Sequence, residues 1–522
     1  MSLFRNRLAL VLILPALAFL GACGSGSNPV APPTGGFTRS NLNGTYVFST
    51  TGFDSSESPS LLAAAGTFAA NGSGSITAGT VDVNGGNVDL FSGAISSGAY
   101  TVSADGRGTI TLNGISTLPT GSLVLDFVLT SNSHGLVTQF DTDGSGSGTL
   151  DLQSSSATLS GPYAFNLMGV DTGGSLLQTV GSFTLNGNGT ITGVEDFNDS
   201  YEFNQGSSNA FALTGSVTAG TPGTATLTTS SNFGTLTFDV YAIDNTHAKL
   251  IETGGPVLLA GDAFTQQGAG LPTTATTFAY TLSDITIPVS VGGFLPIDGQ
   301  GNISNGLVDI NDDGTATTGI TFLGNYAAAG SVGGRTFFNL SGFGVAGQFV
   351  GYPTTNAGIQ LMESDDAGLL SGVAFAQSAN AALAASQGYA VNLSAINLSQ
   401  GTKEDDIAEF STTSGGFNGF IDINDEGFLD AGEKYSGTYT LDSPATGRGE
   451  ITNSNYNLGV FYAVDSSTVL FLDAGDSVGL VGTGVFELQN GTQSATASHV
   501  IVPHLVLSRA AAAKFKLRRK KN

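Results

Sequence analysis

From about residue 40 to residue 491, apolar and polar positions alternate and show no helical spacing. In the first part of this stretch "GTYVFST", "AGTFAAN", "GSITAGTVDV", "SGAYTVSA", "GTITLNG", "LVLDFVLTS", "GLVTQFD" and "GTLDLQ" follow one another. Each puts apolar side chains on every second position and stops at Gly, Asn, Asp or Ser. That is the pattern of short β-strands joined by tight turns. The Asn-Gly and Asp-Gly pairs supply the positive φ that two-residue hairpins need.

The pattern is written four times. An aromatic strand start recurs around Tyr46, Tyr163, Tyr280 and Tyr389. A glycine turn follows in "FAANGSGSI", "FTLNGNGTI", "LPIDGQGNI" and the degenerate "FSTTSGGF". An Asp-x-Asn pair comes next, at Asp82/Asn84, Asp196/Asn198, Asp309/Asn311 and Asp422/Asn424. Each copy closes on Gly and Gln, at Gly148/Gln153, Gly261/Gln266, Gly372/Gln377 and Gly484/Gln489. The last two landmarks each keep a period of about 112 residues, which marks tandem duplication.

Eight short strands in each copy predict an all-β fold of four tandem antiparallel meanders. Each would be an up-and-down barrel, with a β-sandwich or paired propeller blades as alternatives. A repeat this long can bury its own core, so the expectation is four separate beads. The repeats span 40–155, 156–268, 269–379 and 380–491. A signal segment (1–22) and a tether (23–39) precede them, and a basic tail (492–522) follows. The 75 glycines and the 11% of charged residues suit strands and turns.

Charge narrows the partners. The net charge is −25, and all 41 acidic residues lie between Arg39 and Arg509. Such a body repels nucleic acid and anionic lipid. The tail, with Lys514, Lys516, Arg518, Arg519, Lys520 and Lys521, is the basic exception. It could touch anionic envelope polymers.

The chain opens "MSLFRNRLALVLILPALAFLGAC": a short basic region, an apolar run too short for a comfortable membrane span, and Leu20-Gly21-Ala22-Cys23. This end resembles the lipobox of bacterial lipoproteins. The resemblance implies that Cys23 carries diacylglycerol and becomes the first residue of the mature protein. It also implies a cell-envelope location, with Gly24 after the cysteine favouring the outer membrane or cell surface. Cys23 is the sole cysteine, so no intramolecular disulfide can form. The "GSGSNPVAPPTGG" that follows reads as a flexible, extended tether. The glycine-rich repeats look like those of uncharacterised surface lipoproteins, which imply no activity.

Candidate chemistry is sparse. A carboxylate precedes the last strand of each copy, at Asp141, Glu252, Glu363 and Asp473. Such a residue could line a common pocket or accept backbone N–H groups in a turn. The closing glutamine is expected to bridge the first and last strands of its own copy. Asp-x-Asn is expected to cap a turn. In the fourth copy that pair opens "DINDEGFLDAGE", which resembles an EF-hand calcium loop. Its candidate ligands are Asp422, Asn424, Glu426, the Phe428 carbonyl, Asp430 and Glu433. The strand-like flanks depart from a helix–loop–helix. Calcium is the one cofactor the sequence suggests. No zinc spacing, nucleophile elbow or phosphate loop appears. The reading is a non-enzymatic structural or interaction protein of the envelope. The alternatives are a binder of small apolar ligands or glycans inside the repeats and, last, a carboxylate-based hydrolase.

Overall fold

The computed structural model describes residues 36–490 apart from 57, 156, 200–201, 204–209, 221, 231–232, 256, 267–269, 285–286, 329–332, 357, 366, 443–445, 454–457 and 476–478. The lipobox with Cys23, most of the tether and the basic tail lie outside the described residues. Among those described, no helix is long and apolar enough to cross a membrane.

The fold is four eight-stranded antiparallel barrels in tandem. In the third, Thr276–Asp284, Val289–Ile297, Asn302–Asp312, Thr315–Ala328, Thr336–Ser341, Gln348–Pro353, Gly358–Glu363 and Leu370–Ala376 close in chain order. The fourth barrel repeats this from Gly388–Asn397 to Leu480–Leu488. The first barrel, Asn43–Asp54 to Gly144–Leu152, and the second, Gly161–Val170 to Leu258–Thr265, differ in one strand. Their fourth strand is broken into two pieces, Phe91–Ala94 with Ser97–Tyr100 and Glu202–Phe203 with Phe211–Thr218, all laid along the third strand. Closure removes the open sheet edges that short alternating strands would otherwise expose, and the short pieces Phe91–Ala94 and Glu202–Phe203 pair with the third strand alone among the described residues.

Each barrel has its own core. Tyr46, Phe48, Phe68, Leu125 and Phe127 fill the first, and Phe165, Phe183, Leu227, Phe238 and Leu250 the second. The closing glycines explain themselves here. A Cβ on Gly148, Gly261, Gly372 or Gly484 would meet the carbonyl oxygen of Ser49, Asn166, Thr281 or Asn392 at 1.8, 2.1, 2.2 and 2.4 Å. The last strand therefore crosses the first at a distance only glycine allows.

The aromatic landmark slips by two residues in one copy. Tyr46, Tyr163 and Tyr389 face Leu152, Thr265 and Leu488 of their last strands. Their hydroxyls donate to the carbonyls of Asn132, Asn245 and Ser466 at 2.6, 2.6 and 2.8 Å. In the third barrel Phe278 holds that place, opposite Ala376. Tyr280 stands one step along and donates to the Leu307 carbonyl at 3.0 Å. Both positions face inward, and a period of two does not separate them.

The barrels are not separate beads. They form a ring in which the fourth returns to the first. Val47, Phe53 and Ala63 of the first barrel, Met168 and Leu258 of the second, Leu369 of the third and Ile396 of the fourth share one apolar cluster. The outward faces of the first and last strands are therefore buried too. That is why these strands read as nearly continuous small and apolar residues rather than a clean alternation.

Candidate functional site

The repeated Asp-x-Asn lies inside the third strand of each barrel: Ser75–Gly85, Thr190–Asp199, Asn302–Asp312 and Gly416–Asp425. This corrects the expectation of a turn cap. Residues two apart in a strand share a face, and here that face meets the next barrel. The Asn84 amide donates to the Glu252 carbonyl at 2.7 Å, and Asn198 to Gly368 at 3.0 Å. Asn311 donates to Asp473 and Leu480, both at 2.9 Å. Asn424 donates to Gln139 at 2.7 Å and Gly144 at 2.8 Å, closing the ring.

The aspartates work in the same seams. Asp82 accepts the Tyr241 hydroxyl at 2.5 Å, Asp196 that of Tyr352 at 2.6 Å, and Asp309 that of Tyr462 at 2.6 Å. Burial first, then the facing aspartate, pushes the Tyr352 and Tyr462 hydroxyls well above the ordinary tyrosine range. Arg335 adds an ion pair to Asp196, with Nε 2.6 Å from Oδ2. Arg448 does the same to Asp309 at 2.8 Å. In the first seam the arginine position is Pro222. In the closing seam the tyrosine position is Val128, and Arg107 Nη1 stands 3.6 Å from Asp422 Oδ1. Every seam keeps at least one of the two donors.

The closing glutamines also cross seams, which corrects the expectation that each bridges its own barrel. Gln153 donates to Ala242, Gln266 to Gly333, Gln377 to Thr446 and Ala463, and Gln489 to Asp105 and Leu129. Spacing shows that a residue recurs, but it cannot show which barrel its amide reaches.

Where the barrels meet, a cavity of about 60 Å³ is lined from all four, by Thr149, Asn166, Gln360 and Asn392 among others. Lys249 Nζ donates there to Thr149 at 2.8 Å and Asp262 at 3.2 Å. His134 lies 2.6 Å from Asp151 and 2.9 Å from Glu487 of the fourth barrel. Burial pulls the imidazole pKa down, but Glu487 and then Asp151 outweigh it and hold it at about 10.

The calcium-like stretch is a tight hairpin. Asp425 pairs with Phe428 across Glu426 and Gly427, at φ 49° and 95°. The candidate ligands are thereby split between two antiparallel strands. Asp422 accepts the Gly432 N–H at 2.6 Å, and Asn424 is turned into the seam. Glu426 is buried, whereas Phe428, Asp430 and Glu433 are exposed. The donors do not converge, and among the described residues no cluster of three or more His, Cys, Asp or Glu could hold a metal ion.

The repeated carboxylates accept backbone N–H groups. Asp141 takes Val124 and Asp143, Glu252 takes Gly254, Glu363 takes Leu370 and Asp473 takes Gly475. Glu252, Glu363 and Asp473 end their seventh strands. In the first barrel Gln139 holds that end, and Asp141 stands two residues on. Burial raises Asp141 to about 6 and Glu363 to about 10; a hydrogen bond from Asp365 adds to the Glu363 shift.

The fourth barrel has a cavity of its own, larger than one of about 20 Å³ among Tyr280, Phe338 and Phe343 in the third, and the repeat landmarks did not signal it. In the fourth, about 110 Å³ is enclosed by Val391, Ile421, Ile451, Phe471 and Phe486, with Glu404, Asp406 and Asp473 at one side.

No protein-family model matches the chain, and no curated protein matches it at a significant level. Among solved structures, the isotype 1 transferrin binding protein B from serogroup B Neisseria meningitidis aligns with 11% identity. The alignment covers 68% of this chain and 84% of that one, with a TM-score of 0.18. At that score the likeness carries no argument about this protein.

Proposed function

We propose that this chain is a lipid-anchored protein of the bacterial cell envelope whose ring of barrels serves as a rigid, non-enzymatic platform for interaction at the outer membrane or cell surface. One structural observation supports the platform reading above others. The fourth strands of the third and fourth barrels leave the wall for part of their length. Among the described residues, 315–322 and 428–436 pair only with the third strand. They are exposed almost throughout. A free strand edge can pair with a strand of another chain. The buried seams hold these edges in set positions.

The anchor and the edges are tested separately. Replacing Cys23 by Ser should move the full-length protein from the membrane to the soluble fraction of its native host or a heterologous bacterium. Co-sedimentation equal to wild type overturns the anchor. Photocrosslinkers at Thr317 and Lys434 on intact cells should give discrete adducts with other envelope components. Adducts no more frequent than from Thr214, on the fully flanked strand of the second barrel, overturn the interaction edges.

A second reading, a binder of small ligands within a repeat, is supported by the cavity of the fourth barrel.

A further inference from the structure

The fourth barrel departs from its three sisters at two inward positions of its second strand, Thr402–Thr412. The corresponding places hold Leu62 and Ala64 in the first barrel, Leu177 and Thr179 in the second, and Val289 and Val291 in the third. In the fourth they are Glu404 and Asp406. Two carboxylates thus stand where the sisters hold Leu, Ala, Val or Thr, in a cavity whose remaining lining is apolar and aromatic apart from Asp473 and Asn453.

We propose that the fourth barrel is a binding site for a small organic cation: an alkylammonium group seated against Asp406 and Glu404, with its hydrocarbon part against Val391, Ile451, Phe471 and Phe486. This deepens the second reading above and is independent of the lipid anchor.

Three observations carry it. Asp406 is 4% exposed, and its Oδ1 is buried without a hydrogen-bond partner. An orphaned buried carboxylate oxygen costs several kcal/mol unless a partner arrives. The chain's own nearby cation is committed elsewhere. Lys403 points to the opposite face of the strand and is held by Ser394 and Asp405 at 2.5 Å each. Finally, the cavity is of ligand size and reaches the surface. Its 110 Å³ is comparable with engineered apolar cavities of about 150 Å³ that admit benzene. Ile421, Ile423, Tyr435, Asn453 and Phe471 around it are only partly buried.

Electrostatics agree. Burial, then the charges of Glu404 and Asp405, raise the Asp406 carboxyl well above its ordinary range, with Lys403 opposing. A bound cation would offset that penalty, and a neutral ligand of the same shape would not. The apolar lining supplies affinity from the alkyl chain, and aromatic faces favour a cation further.

The test is calorimetric titration of the full-length protein in detergent with n-butylammonium chloride, n-butanol and calcium chloride. We expect saturable one-site binding of n-butylammonium and at least about tenfold weaker binding of n-butanol. Asp406→Asn should weaken n-butylammonium by a similar factor without lowering the melting temperature, since it removes an unpaired acid. Glu404→Gln should weaken it as well. Equal binding of n-butanol leaves a ligand-binding barrel but overturns the cationic class. No binding of either overturns the cavity reading itself. Unchanged affinity in Asp406→Asn, or displacement of n-butylammonium by equimolar calcium, places any cation elsewhere or makes the site one for metal, and overturns the proposal.

Discussion

Asn424 and Gln139 are 285 residues apart in the chain, and the amide of one donates to the carbonyl of the other at 2.7 Å. The same amide reaches Gly144 at 2.8 Å. This contact ties the last barrel to the first and turns a row of four domains into a ring.

Replacing Asn424 by Ala removes both bonds and leaves two buried carbonyls to find other partners. A loss of about 1–3 kcal/mol is expected. Asn311→Ala, which also breaks two such bonds, should cost a similar amount. Only the Asn424 change should increase the radius of gyration in solution scattering under mild denaturant, because only that seam has no covalent connection between its barrels. Equal expansion in both variants would count against a closed ring.

Asp309 holds Arg448 and Tyr462 of the next barrel in one buried cluster. Asp309→Ala leaves the guanidinium only its more exposed partners Asp442 and Glu450 and should destabilise by about 3 kcal/mol. Tyr462→Phe loses one neutral donor and should cost about 1 kcal/mol. Chemical denaturation should further show that Asp309→Ala with Arg448→Met costs less than the sum of the single changes. Simple additivity would mean the pair is not coupled.

A Cβ at Gly261 would sit 2.1 Å from the Asn166 carbonyl oxygen, whereas at Gly187 it would meet nothing within 4 Å. Gly261→Ala should therefore lower stability by about 1–3 kcal/mol through overpacking. Gly187→Ala should stay within about 0.5 kcal/mol of wild type. Similar melting temperatures for the two variants would show that the first and last strands can move apart.

Stability should fall as the pH rises from acid to alkaline. Burial raises Glu409 to about 8, and Asp126 and Glu195 to about 7. Unfolded carboxyls titrate near 4. Below that value both states are protonated and the contribution is fully present. It is lost as the pH climbs through the folded values, because the native barrel must then hold a buried anion. His134 acts in the same direction. It is held charged to about 10, so its contribution is present below its unfolded value near 6.5 and lost as the pH rises through 10. Asp262 runs the other way: Lys249 and His247 outweigh burial to lower it, so its share is lost in acid. Thermal melts should peak near pH 5 and decline towards pH 9, and Glu409→Gln should flatten the decline. A melting temperature that rises between pH 5 and 8 would mean these carboxyls ionise in place without penalty.

The all-β class, the four repeats and their eight-strand meanders were legible in the sequence because strand period, turn chemistry and duplication are local or self-comparing signals. The positions of Asp-x-Asn and of the closing Gly and Gln were legible for the same reason. Their partners were not. Asn84 and Asn424 look alike in sequence, yet one reaches the next barrel along the chain and the other the first. The calcium-like order of Asp422 to Glu433 followed from spacing along an assumed loop. The Glu426-Gly427 hairpin breaks that loop into two strands, and direction, not spacing, decides where ligands point.

Glu404 and Asp406 were visible as acids in "TKEDDIAEF", but alternation alone assigns them to no particular face. Only closure of the fourth barrel turns them inward. The sequence by itself determined the strands and the repeat, because these depend on neighbours in the chain. Tertiary structure alone decided that the barrels form a ring and that one of them keeps an acidic cavity. Both depend on which outward or inward face meets another across hundreds of residues, and a two-residue period carries no record of that.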